Sequence, residues 1–152
     1  MANQPSLPKK PGAALKRLNF LAGSWHTSGE ILKNADQPSA TIRGMDTYEW
    51  INDGFHLLHR VDVMMGDTRT EALEIIGYDA EKRSYFLTSF DNMGETTTMY
   101  AQIPKPGVLA ITDKLMRSTL TVGKTGKNMT AKWERSDDGK KWMPWMTMEF
   151  SR

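Results

Sequence analysis

Histidine is scarce in this chain, three residues in 152, and two of them stand close together in His56-Leu57-Leu58-His59. That run suggests a metal site, but the residues around it read as a strand. On a strand, positions three apart face opposite sides, so the two imidazoles cannot share one ion and no metal is expected. A lone histidine has other uses. Paired with a carboxylate that orients it and a hydroxyl that donates to a substrate, it serves as a general base. His59, Glu74 and Tyr48 are the candidates for those roles. Gly123-Lys124-Thr125 fails as a phosphate loop, because position 118, five before Gly123, is Ser118 rather than glycine and no helix follows. Asn128-Met129-Thr130 fits a glycosylation pattern in a chain with no secretion signal.

Whether Tyr48, His59 and Glu74 meet depends on the elements that carry them. Pro11 to Leu21 is the one helical stretch: proline can open a helix, Leu15, Leu18 and Leu21 lie three apart, and Gly23 follows. From there to the C-terminus the apolar period is two. Turn residues recur at short-strand spacing, at Asn34 to Pro38, Asn52 to Gly54, Gly66-Asp67, Asp79 to Arg83 and Asn92 to Gly94. The series goes on through Pro104 to Gly107, Asp113-Lys114, Gly123 to Gly126 and Asp137 to Gly139. These divide the chain into about ten strands joined by hairpins. A meander that long must hide its edges, and closure does so. The expected fold is all-β: a closed up-and-down antiparallel β-barrel with one short N-terminal helix.

Two tight turns give a register. With Asp53-Gly54 as the first, Tyr48 faces His59, Trp50 faces Leu57 and Asp46 faces Val61. With Gly66-Asp67 as the second, His59 faces Glu74, Leu57 faces Ile76 and Val61 faces Ala72. A turn around Ala80 to Arg83 adds Ser89 beside Glu74. Alternation then sorts these strands into two faces. One holds six Asp, Glu or Arg side chains, among them Glu49, Arg60 and Asp62; the other holds only Asp46 and Glu74. Six charges cannot line a small barrel cheaply, so the second face is the inside. Later strands put Met116, Ser118, Leu120 and Val122 on one face, as they do Met129, Ala131 and Trp133, and then Trp142, Met146, Met148 and Phe150. Eleven methionines suit an irregular apolar interior, as core filling or as a ligand surface.

Composition narrows the partners. A chain of 152 residues is expected to be one domain, with a polar tail over residues 1–10 and the barrel over 11–152. With no cysteine, disulfides and thiolate metal sites are excluded. Met1 to Gly12 has no apolar run behind it, and no stretch is long enough to span a bilayer, so a cytoplasmic protein without a membrane partner is expected. The net charge is +2, with eleven acidic and four basic groups over residues 44–104 and an excess of basic groups on either side. Those lysines fall mostly in turns and beside acids, unlike the basic stripe with exposed aromatics that would mark nucleic-acid binding.

Leu21-Ala22-Gly23-Ser24-Trp25-His26-Thr27-Ser28-Gly29 resembles the opening of a calycin, where a short helix leads into a Gly-x-Trp on the first strand. The resemblance implies structural roles for Gly23 and Trp25, the tryptophan plugging one end of the barrel, and an Arg152 that packs on it. Further blocks are Asp46-Thr47-Tyr48-Glu49-Trp50, Gly54-Phe55-His56-Leu57-Leu58-His59-Arg60 and Glu74-Ile75-Ile76-Gly77-Tyr78-Asp79. Together they resemble the bacterial family called domain of unknown function 1579, over nearly the full chain after the first ten residues. That resemblance implies a lipocalin-like or fatty-acid-binding-like barrel and no particular activity.

Three readings of the Tyr48, His59 and Glu74 row stay open: a structural network, an anchor for a ligand, or catalytic machinery of an isomerase or hydrolase. The leading expectation is a small, mostly apolar ligand in the interior. It would touch Tyr48, Trp50, Leu57, His59, Glu74, Ile76, Ser89, Met116, Met129, Trp133 and Met146. No cofactor is expected. Nitrobindin-like barrels of similar shape bind haem through a histidine in their C-terminal part, and here none follows His59. Outer residues such as Leu58, Met64, Leu73 and Ile75 could pair two barrels into a homodimer.

Overall fold

The structure, a computed structural model, describes residues 9–152. Most of the expected tail, residues 1–8, lies outside the described residues; Lys9 and Lys10 are exposed and in no regular element. The helical stretch is present in two pieces, α1 (Ala13–Lys16) and a 3-10 turn (Asn19–Leu21). Neither is long enough to stand alone in water. Packing holds them: Leu15, Leu18 and Leu21 are buried. The Tyr85 hydroxyl donates to the Ala14 carbonyl at 2.6 Å, and the Arg17 guanidinium donates to the Ile103 carbonyl at 2.8 Å. The segment is a plug across one end of the barrel.

Ten strands follow. They are β1 (Gly23–Ile31), β2 (Ala40–Ile51), β3 (His56–Met65), β4 (Thr68–Asp79) and β5 (Ser84–Asp91), then β6 (Thr96–Lys105), β7 (Val108–Thr112), β8 (Met116–Val122), β9 (Asn128–Arg135) and β10 (Met143–Ser151). Each pairs antiparallel with the next, and β10 returns to pair with β1. The expected register holds across four strands. Tyr48 is opposite His59, His59 opposite Glu74, and Glu74 opposite Ser89. The tight turn at Gly66-Asp67 joins the partners Met65 and Thr68, with Gly66 at φ 61°, a conformation that costs glycine little. At Gly44 (φ 154°) a Cβ would stand 2.2 Å from the Asp62 carbonyl oxygen, so only glycine lets β2 bend this close to β3.

Charge sorts as expected. Glu49, Arg60, Asp62, Arg69 and Glu71 are exposed on the outside, where Arg69 pairs with Asp62 at 3.0 Å. Leu73 and Phe90, cross-strand partners on that outer face, are exposed as well. One later residue departs from the reading above. Trp142 lies before β10 begins, on the outside, with the Arg117 guanidinium 4.2 Å from its ring centroid. The pairing of β10 with β9 slips between Pro144 and Met146. Proline has no N–H for the ladder, and a slip of one residue breaks the alternation that placed Trp142 with Met146.

The closed end is built on Trp25, which is fully buried. Its indole N–H donates to the Leu21 carbonyl at 2.8 Å, and the Arg152 guanidinium lies 3.9 Å from its ring centroid. Arg152 also donates to the Ala22 and Gly126 carbonyls, tying the last strand to the entry of the first. Trp25→Ala is therefore expected to cost about 3–5 kcal/mol, the range for emptying a buried tryptophan site. Trp142→Ala should cost about 1 kcal/mol or less, as surface substitutions do. Urea denaturation of both variants checks this; equal midpoints would remove Trp25 from its structural role.

Candidate functional site

Inside the barrel is a cavity of about 240 Å³. Its walls are mostly apolar, with Ile76, Leu87, Leu109, Ile111, Leu120, Met146, Met148 and Phe150 among them. Polar groups gather on one side, where Asp46, Tyr48, His59, Glu74, Ser89 and Asp91 reach it from β2 to β5. Met65, Thr70 and Asp91 lie at strand ends away from the plug, so the cavity extends toward the Gly66-Asp67 end of the barrel.

His59 is clamped. Its Nε2 is 2.7 Å from Asp46 Oδ1 and its Nδ1 is 3.0 Å from Glu74 Oε1. Carboxylates only accept, so both ring nitrogens donate and the imidazole is held as its cation. The second oxygen of Asp46 accepts from the buried Thr27 hydroxyl. Tyr48 does not join the chain of hydrogen bonds; its ring stacks on the imidazole, with centroids 4.0 Å apart and planes 8° from parallel. Burial alone would lower the pKa of His59. The hydrogen bonds and charges of Asp46 and Glu74 outweigh it and raise the value to about 9. Burial, with the charges of Asp46 and Glu74, pushes the Tyr48 phenol well above its usual 10.

These contacts alter the expected chemistry. An imidazolium with both nitrogens engaged has no lone pair, so His59 cannot serve as the general base of an isomerase or hydrolase at neutral pH. The same engagement denies haem iron a ligand from His59. His56 is on the outside, its Nδ1 3.2 Å from the Asn52 amide, and His26 is exposed on β1. The described residues thus offer haem no imidazole in the cavity. Among them, no cluster of three or more His, Asp or Glu side chains is arranged to hold a metal ion.

Of the residues expected to meet a ligand, Tyr48, His59, Glu74, Ile76, Ser89, Trp133 and Met146 line the cavity. Ser89 sits opposite Glu74, but its hydroxyl faces the Thr97 carbonyl at 3.5 Å instead of the carboxylate. Four others do not line it. Leu57 and Met129 are fully buried toward the plug, packed into the core. Trp50 donates its indole N–H to Asn19 at the foot of that plug, 2.9 Å away. Met116 is at the opposite end, in a surface groove with Leu115 and Trp145. Alternation places a residue on a face; it does not say how far along the barrel axis the side chain falls.

Asp46 is the functional candidate that the row of directly opposed residues left out. It stands opposite Val61, one diagonal step from His59, and at that separation long side chains still meet. Its inward position was readable, and a lone inward aspartate two residues from Tyr48 is the signal that could have found it.

His59 binds its proton more tightly in the folded chain than in the unfolded one. Its contribution to stability is thus complete below pH 6.5 and fades as the pH rises through about 9. The amount at stake is on the order of 3 kcal/mol for a shift of this size. An NMR titration of the His59 ring should give a midpoint near 9, with the urea midpoint falling over the same window. A midpoint at or below 6.5 would show that the clamp does not hold the cation.

No curated protein matches this chain in sequence. Among solved structures it is similar to the crystal structure of Rv2717c from M. tuberculosis, with 12% sequence identity and a TM-score of 0.66, covering 93% of this chain and 98% of that one. At that identity the likeness concerns the fold alone. Residues 10–134 match the model of a protein family of unknown function, DUF1579. The chain belongs to the DUF1579 family.

Proposed function

We propose that this protein is a binding module, a lipocalin-like barrel of the calycin type that holds a small, mostly apolar molecule beside the His59 clamp. The observation that carries the reading is the cavity itself: apolar walls with polar groups converging on one side, as in small-molecule sites. Its volume of about 240 Å³ lies below the usual roughly 300–1,000 Å³ of ligand pockets, so the occupant is small. The calycin assignment is supported by the short helical entry, by Gly23-Ser24-Trp25 at the start of β1, and by Arg152 packed on Trp25.

A filled cavity is the sharpest test. Ala72 lines the wall opposite Val61 and Asp91, where a larger side chain has open space ahead of it. Ala72→Phe should keep the fold, within about 1–3 kcal/mol of the parent, and abolish binding. Native mass spectrometry of the protein purified from its own host, and NMR titration with toluene as an apolar probe, provide the readouts. The reading is lost if the parent neither carries a molecule nor responds to toluene, or if Ala72→Phe responds as the parent does.

A homodimer through the outer face of β4 and β5 is a second reading, favoured by Leu73 and Phe90 side by side and exposed by 41% and 49%. Sedimentation as a monomer would remove it.

A further inference from the structure

Charge on the cavity wall narrows what can occupy it. Asp46, Glu74 and Asp91 line the cavity, and none of its lining residues is a lysine or arginine. His59 is the cation there, and Asp46 and Glu74 share it through its two ring nitrogens. Three carboxylates against one imidazolium leave a net charge of −2 on a mostly apolar and otherwise uncharged wall. Charge in such surroundings is costly unless it is paired.

The free valences can be located. Both oxygens of Asp46 are taken, by His59 and by the Thr27 hydroxyl. Among the described residues, Glu74 accepts through Oε1 alone, leaving Oε2 for the cavity. Asp91 holds the β5–β6 turn through Oδ1, which accepts from the Met93 and Glu95 amides at 2.9 and 3.0 Å, and its other oxygen has no partner among the described residues.

The geometry points to a small organic ammonium ion, a protonated amine on an apolar body, as the occupant, with its N–H groups on Glu74 Oε2 and its apolar body against Leu109, Ile111 and Leu120. The inference rests on the reading of the cavity as a binding site. An ammonium group supplies the donors and the positive charge that the carboxylate side lacks. An anionic amphiphile such as a fatty acid would add to the negative charge and find no lysine or arginine to receive it.

Three probes that share a phenylethyl body separate these possibilities: phenethylamine, 2-phenylethanol and 3-phenylpropanoate, titrated into the full chain at neutral pH and followed by NMR. Phenethylammonium is expected to bind roughly ten- to a hundredfold more tightly than the alcohol, the range for a charge-assisted hydrogen bond, and the carboxylate weakest. Glu74→Gln should erase the preference for the amine while alcohol binding persists. Asp91→Asn keeps the acceptor that holds the turn and removes the charge, so it should reduce the preference even if Glu74→Gln fails to fold. If the alcohol or the carboxylate binds as well as the amine, or if both variants keep the full preference, the ammonium assignment is overturned and cavity binding stands. If none of the three probes shifts the cavity resonances, the binding reading fails and this inference goes with it.

Discussion

A ten-stranded meander has two unpaired edges until its first strand meets its last, and here six consecutive residues of β1, from His26 to Ile31, pair with β10. That closure sets the geometry of everything inside. With the ring shut, each inward side chain has a fixed set of neighbours, and the charged outer residues have no route inward. The pairing is secured at its most exposed point, the chain end. Arg152 lies on Trp25 and donates to carbonyls on both sides of the seam, so the last residue is bonded to the entry of the first strand. Trp25 and the helical plug then exclude water from that end, and the remaining free volume is displaced toward the other.

Much of this was legible in the sequence because tight turns specify register. A two-residue loop at Gly66-Asp67 admits one pairing of the strands around it, and one pairing puts Glu74 beside His59. The separation of charges confirmed which face was the inside. Diagonal contacts were less legible: Asp46 lies opposite Val61, yet it holds the Nε2 of His59. Depth was not legible at all. Leu57 and Met129 point inward as expected but pack beyond the cavity, because depth follows from the stagger of strands around a closed barrel and from where the plug sits. Trp142 was misplaced for a third reason, since an irregularity at a proline resets the alternation.

The His59 clamp has a physical consequence beyond catalysis. A histidine flanked by one carboxylate stays available to titrate near neutrality and to accept a proton. Flanked by two, it becomes a fixed cation whose hydrogen-bonding capacity is spent on the protein. The stacked Tyr48 ring covers one face of the imidazole, so His59 offers its surroundings little beyond charge. Chemistry available to an occupant therefore moves outward by one atom, to the carboxylate oxygen of Glu74 that the imidazole does not use.

Such a cluster is an odd choice for stability alone. Replacing a buried ionic group with well-packed apolar residues is often neutral or stabilising, and a void beside it forfeits dispersion contacts as well. Here the two occur together: the paired charges of His59, Asp46 and Glu74 face open volume. A barrel under selection only to fold would close this volume with the leucine and methionine side chains that fill its plugged end. Departures from good packing and from the burial of apolar groups alone that coincide in one place are characteristic of functional sites. In this chain they coincide at the cavity beside His59, and that agreement, more than the presence of a histidine, makes it the candidate site.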